Sequence, residues 1–200
     1  MRARNVSDDA GGTRRNANGT GRHAARVERM GDEAAITTER YKDLLAHLAG
    51  AVAVVTTRDA AGQVWGFTAS SFCSLSLDPP LVLFCLAHSA DCYAAFTVAD
   101  SFAISMLTAQ QAEISQRFAM KGSAKYEGVR FVTGELGMPL IPGALVWLEC
   151  RAYATYPGGD HTIVVGQVAC GGMGTSNNDT RPLLYYDRTY GTFTKDEGGP

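Results

Sequence analysis

From residue 51 onward, apolar and polar positions alternate along most of the chain, and only short stretches keep helical spacing. Tyr41, Leu44, Leu45 and Leu48 recur at three and four residues behind Thr37-Thr38-Glu39-Arg40, which predicts a helix entered through a threonine cap and ended by Gly50. Residues 51–57 and 63–77 predict two strands, the second unusually long, around a turn at Asp59-Ala60-Ala61-Gly62. The wholly apolar residues 81–86 predict a buried third strand. Tyr93, Phe96 and Val98 give a short helix over 91–99, and Phe102, Ile104 and Met106 alternate as a strand over 102–107. A helix over 109–119 and a short strand over 129–132 follow. Residues 144–156 and 161–170 read as two long strands about Pro157-Gly158-Gly159-Asp160, and 182–186 with 191–193 close the pattern. Strand, helix and parallel strand do not alternate regularly, which excludes a doubly wound sheet. The expected fold class is mainly β and antiparallel, a barrel or sandwich with helices at its margins.

Composition narrows the partners. Two hundred residues suffice for one buried core, and a net charge of −2 gives no attraction to nucleic acid or an anionic membrane. No apolar run reaches the roughly 18 residues of a membrane span. Five cysteines, an odd number with no Cys-x-x-Cys spacing, read as small buried hydrophobes in a reducing cytosol, so a cytoplasmic location is expected. Residues 1–35 carry seven arginines, three asparagines and five glycines with almost no large apolar side chain. They read as a disordered N-terminal extension ahead of one domain over 36–195.

The segment over 66–86 is where chemistry concentrates. Thr68, Ser70, Ser71, Ser74 and Ser76 place five hydroxyls in nine residues with no charge before Asp78, and a rigid Leu77-Asp78-Pro79-Pro80 corner leads into the apolar strand. Small hydroxyls and bare backbone amides suit a flat polar ligand with a phosphate tail, because they bond it without blocking close approach. His161, at the mouth of a hairpin, is either satisfied by Asp160 and backbone or placed over a ligand. His88 and Ser89 precede a helix and either cap it or hold a phosphate at its N-terminus. Arg117, Lys121, Lys125 and Arg130 around Phe118 and Tyr126 form a solvated face or a clamp on a pyrophosphate. Tyr185, Tyr186 and Tyr190 around Arg188 form edge packing or a stacking surface. Gly171-Gly172-Met173-Gly174 does not lie between strand and helix and is no dinucleotide loop; phosphate-loop, nucleophile-elbow and His-Glu-x-x-His motifs are missing, and with only His47, His88 and His161 beyond the extension no metal site is expected.

Five stretches in order resemble the short-chain flavin reductases of two-component monooxygenases, a branch of the FMN-binding split barrels. They are Gly66-Phe67-Thr68-Ala69-Ser70-Ser71-Phe72 with the following Ser74 to Leu81, Gln110 to Ala119, Gly143 to Cys150, Gly159 to Gly166, and Arg181-Pro182-Leu183-Leu184-Tyr185-Tyr186 with Tyr190. The resemblance implies a homodimeric antiparallel split barrel that binds FAD or FMN without a covalent link at the dimer interface. It implies hydride transfer from NADH, or NADPH, and delivery of reduced flavin by diffusion to a flavin-dependent monooxygenase. By the same resemblance Phe67, Thr68, Ala69, Ser70 and Ser71 lie along the flavin ring, with Ser76, Asp78, Pro79 and Pro80 supporting it. Ala87, His88, Ser89, Arg117 and Phe118 are expected on the phosphate side. His161, Tyr186, Arg188 and Tyr190 are expected to face the nicotinamide nucleotide, with His161 the catalytic residue by orienting it. No basic pair stands near His161, which favours NADH, since a 2′-phosphate usually recruits an arginine. The alternative is a non-enzymatic flavin- or haem-binding split barrel.

Overall fold

In this computed structural model the described residues are 35–174 and 181–194. In chain order they form α1 (Thr38–Ala46), β1 (Gly50–Ala51), β2 (Ala53–Arg58), β3 (Val64–Ala69), β4 (Cys73–Leu77), β5 (Pro80–Ala87), α2 (Tyr93–Thr97), β6 (Ser101–Met106), α3 (Ala112–Ala119), β7 (Val132–Thr133), β8 (Pro139–Leu140), β9 (Val146–Gly158), β10 (His161–Met173), β11 (Leu183–Tyr186) and β12 (Thr189–Thr192). The chain divides into two units, Met1–Asp43 and Leu44–Pro200. In the first, Thr37 is the predicted helix cap: its Oγ1 accepts the Arg40 N–H at 3.2 Å. The extension expected over 1–35 lies, but for Ala35, outside the described residues. No described helix is long and apolar enough to cross a membrane.

Within the second unit, seven antiparallel strands pair in the order β3-β2-β6-β9-β10-β5-β4. The two edges, β3 and β4, are consecutive in the chain and joined only by Ser70, Ser71 and Phe72. Four Cα steps from Ala69 to Cys73 reach at most about 15 Å. A flat sheet of seven strands would hold its edges about 29 Å apart, at about 4.8 Å per strand. The sheet must therefore curl until its edges approach. Ser71 helps hold them: its Oγ accepts the Cys85 N–H at 3.0 Å and donates to the Cys85 carbonyl at 3.4 Å. The single long strand expected over 63–77 is thus two strands, because the chain leaves β2 and crosses to β5 at the serine pair.

Two further expectations need correction. Gly50 does not end the helix; it pairs with Tyr185 in the small sheet β1-β11-β12. A side chain there would press on the Ser70 carbonyl, a Cβ lying 3.1 Å from it. The strand expected over 51–57 is interrupted at Val52, whose N–H bonds Leu183 and whose carbonyl accepts from Leu107, so one residue links the small sheet to the large one.

The core follows from these crossings. Strand β2 is buried on both faces. One face meets Phe84, Phe96, Phe102, Ile104 and Cys150 inside the curl, and the other meets Leu107, Phe118, Ile141 and Leu183. Phe84 packs its ring against Phe67, Phe96 and Phe102 at centroid distances of 5.7, 5.9 and 5.2 Å. Gly66 of β3 has no room for a side chain, since a Cβ would lie 2.8 Å from the Val55 carbonyl oxygen.

Candidate active site

Along β3 alternate side chains point to opposite faces. Phe67 and Ala69 enter the core, while Thr68 and the following Ser70 line a cavity of about 180 Å³ with Val52, Ser115, Ala119, Tyr185 and Tyr190. Three elements are tied together at its wall. Thr68 Oγ1 donates to the Ser115 carbonyl at 2.6 Å, coupling β3 to α3. The Ser115 and Tyr190 hydroxyls lie 2.8 Å apart, coupling α3 to β12. Tyr185 meets Tyr190 edge-on at 5.4 Å. The wall is hydroxyls and phenol rings with Val52 and Ala119 between them, and among the described residues no Lys or Arg lines it. That donor set fits one end of a flat heterocycle such as a flavin ring and offers a phosphate no counter-charge.

A second polar group stands where β5 ends and β10 begins, with His161 paired to Ala87. Gly159 and Asp160 form the two-residue turn before it, Gly159 at φ 73°. His161 Nδ1 bonds Asp160 Oδ1 at 2.7 Å, and this bond is the main reason the Asp160 carboxyl is held below its ordinary value. The His88 N–H donates to the Asp160 carbonyl at 3.0 Å. Thr162 Oγ1 joins His88 Nε2 at 3.2 Å and Tyr93 OH at 2.9 Å, with the His88 and Tyr93 rings edge-on.

The Flavin reductase like domain model matches residues 45–194. The chain belongs to this family. It is 37% identical over 149 residues to the actinorhodin polyketide dimerase of Streptomyces coelicolor, covering 74% of this chain and 82% of the relative. It is 37% identical over 161 residues to the NADH:riboflavin 5′-phosphate oxidoreductase of Streptomyces pristinaespiralis, covering 80% and 90%. It is 31% identical over 166 residues to the flavin-dependent monooxygenase reductase subunit HsaB of Rhodococcus jostii, covering 83% of each. Among solved structures, the Streptomyces globisporus NADH:FAD oxidoreductase SgcE6, in complex with NAD and FAD fragments, superposes with a TM-score of 0.73 at 31% identity, covering 83% of this chain and 100% of that one. The curled, unclosed sheet is the split barrel of these flavin reductases.

Within the flavin reductase framework, the residues expected at the site separate. Thr68, Ser70 and Tyr190 converge; Tyr190, expected beside the nicotinamide, shares the wall with the residues expected along the flavin. Phe67 and Ala69 do not face that cavity, because strand alternation sends them inward. Ser71 spends its hydroxyl on Cys85. Ser76, Asp78, Pro79 and Pro80 lie at the start of β5 and Ala87, His88 and Ser89 at its end, about 23 Å apart along the strand at about 3.3 Å per residue. This chain by itself does not bring the two groups together. Helix α2 has only five residues and no side-chain cap, which weakens the argument for an anion at its start.

Two of the four basic side chains read as a clamp, Arg117 and Lys125, are engaged within the protein. Arg117 gives its guanidinium to the Lys125 carbonyl at 3.0 Å and to that of Glu127. Lys125 is 3% exposed, with Nζ on the Met120 carbonyl at 3.2 Å. Phe118 is 1% exposed in the core. These side chains hold the loop after α3 against the barrel, where the Tyr126 hydroxyl both accepts the Gly66 N–H and donates to its carbonyl. Burial pushes the Tyr126 phenol up to about 12. Tyr186 OH lies 3.3 Å from His47 Nδ1. Asp187 and Arg188 form the β11–β12 turn at φ 46° and 62°, a conformation costly for arginine and therefore a candidate functional position.

Sequence reading passed over Ser115 and Glu149, and offered Tyr185 only as edge packing or a stacking surface. Ser115 falls three residues before Phe118 on α3, on the buried side, and a hydroxyl on an apolar helix face was the available signal. Glu149 is fully buried, and its carboxylate accepts the N–H of Leu136 at 3.0 Å and of Met138 at 3.0 Å.

Proposed function

We propose that this protein is an NADH-dependent flavin reductase supplying reduced flavin to a separate flavin-dependent monooxygenase. The observation that carries the reading is the convergence of Thr68, Ser70, Ser115 and Tyr190 on one uncharged, hydroxyl-lined cavity in a flavin reductase barrel. Bound FMN or FAD supplies the chemistry by accepting hydride from NADH. The chain needs no nucleophile for this. Its contribution is to place two rings in contact and keep water away.

His161 is assigned to the nicotinamide. A carboxylate only accepts, so the Asp160 bond puts the proton on His161 Nδ1. In that tautomer Nε2 is an acceptor for an N–H donor such as the nicotinamide carboxamide. Ala87, His88 and Ser89 would hold the phosphate side, and Arg188 and Tyr186 the rest of the nucleotide.

The same reading includes a homodimer. Directly opposed residues share a sheet face, so Cys85, Ile163 and Tyr156 form one outward row and Leu83 and Ala154 stand in the next. Tyr156 is 55% exposed and the edge strand β4 leaves Leu77 95% exposed. A second copy laid on this face would shield it, and would bring its own residues to sites separated along β5.

The test is NADH oxidation with added riboflavin, FMN and FAD, repeated with NADPH. Oxidation that requires free flavin, faster with NADH, is expected. No oxidation above the enzyme-free rate with any flavin overturns the reading and favours a flavin-binding protein without reductase activity.

A further inference from the structure

Hydrogen-bond bookkeeping in the cavity over β3, α3 and β12 sets which atoms a ligand must present. A hydroxyl carries one proton. Thr68 commits its proton to the Ser115 carbonyl at 2.6 Å, so Thr68 shows the cavity lone pairs only. Ser115 is 0% exposed, and among the described residues its hydroxyl has one partner, the Tyr190 hydroxyl at 2.8 Å. If Tyr190 donated in that pair, the proton of the fully buried Ser115 would have no acceptor in the protein itself, the costly arrangement before any ligand enters. Ser115 therefore donates, Tyr190 accepts, and the Tyr190 proton is left for the cavity. The wall has an acceptor on its β3 side and a donor on its β12 side.

We propose that Ser115 is a positioning residue that sets this polarity, and that the cavity takes the imide edge of the flavin pyrimidine ring, its N–H toward Thr68 and a neighbouring carbonyl toward Tyr190. The proposal rests on the flavin reading above. Two further features agree with it. A cavity of about 180 Å³ is smaller than the roughly 300 Å³ that takes a whole drug-sized ligand, so it holds one end of the ring system. Among the described residues no Lys or Arg lines it, so it offers the phosphate end no counter-charge.

The experiment titrates the full chain with riboflavin and with 3-methylriboflavin, following flavin fluorescence. Blocking the imide N–H is expected to weaken binding about tenfold, the value of one hydrogen bond. Thr68→Ala is expected to cut that penalty to about twofold or less. Ser115→Ala and Tyr190→Phe should each weaken riboflavin binding about fivefold, the pair together no more than either alone, with KM for NADH unmoved. Should Ser115→Ala not fold, Tyr190→Phe and the methylated probe decide. Equal affinity of the native protein for both flavins, or additive losses in the double variant, overturns the edge assignment while riboflavin-dependent NADH oxidation leaves the reductase reading standing. Absence of both riboflavin binding and oxidation overturns the two together.

Discussion

At the scale of single residues, the proposed site offers hydroxyls and an oriented imidazole rather than a nucleophile. Asp160 orients the His161 ring through a 2.7 Å bond, although Asp160 itself is largely in water. Such an exposed pair adds little to stability, and the proposed role for it is in binding. His161→Ala is expected to raise KM for NADH about tenfold, with flavin affinity and the thermal midpoint little changed. Steady-state kinetics at saturating flavin checks this, and an unchanged KM removes His161 from the site. The sequence left His161 open between two readings; the structure shows the contact with Asp160, and that contact leaves the other ring nitrogen free for the proposed ligand role. Thr68 and Ser70 were legible because a hydroxyl in an apolar strand stands out. Ser115 was not, because its value lies in a partner 75 residues away.

At the scale of elements, the 134–138 loop shows how a buried polar side chain shapes a barrel rim. Glu149 accepts from Leu136 and Met138, and from the Cys170 thiol at 3.4 Å. Burial first, then this bond, pushes the Cys170 thiol up to about 11. Gly134 leaves room for the carboxylate, since a Cβ there would lie 2.4 Å from it. Glu149→Ala removes the acceptor for two backbone N–H groups and should cost about 3 kcal/mol, lowering Tm by about 6–12 °C. In the same variant Cys170 should alkylate faster at mildly alkaline pH, its thiol titrating closer to the usual cysteine range; a thermal melt and a thiol-labelling time course check the two effects. Most strands were readable from alternation, but the break at 70–72 was not. Ser70, Ser71 and Phe72 carry the same local pattern as their neighbours, and the chain breaks there because it changes partner from β2 to β5.

For the whole molecule, the dimer reading has a direct test. Ile163 stands between Cys85 and Tyr156 on the outward sheet face. Ile163→Asp should convert a dimer to a monomer at micromolar concentration and weaken flavin binding with it, because a buried unpaired charge is strongly disfavoured at an interface. Light scattering on the eluting protein checks this; native protein eluting at the 21.3 kDa monomer mass refutes the dimer. Sequence by itself determined the antiparallel β class, the strand-bearing stretches, the hydroxyl-rich wall and the family, because alternation, turn residues and motifs are local properties of the chain. Tertiary structure alone decided that β3 and β4 lie at opposite edges of one curled sheet, that Arg117, Lys125 and Phe118 serve the loop and core, and that Ser115 and Tyr190 meet Thr68. Those facts depend on which strands pair across long sequence separations and on which proton each hydroxyl has already given away.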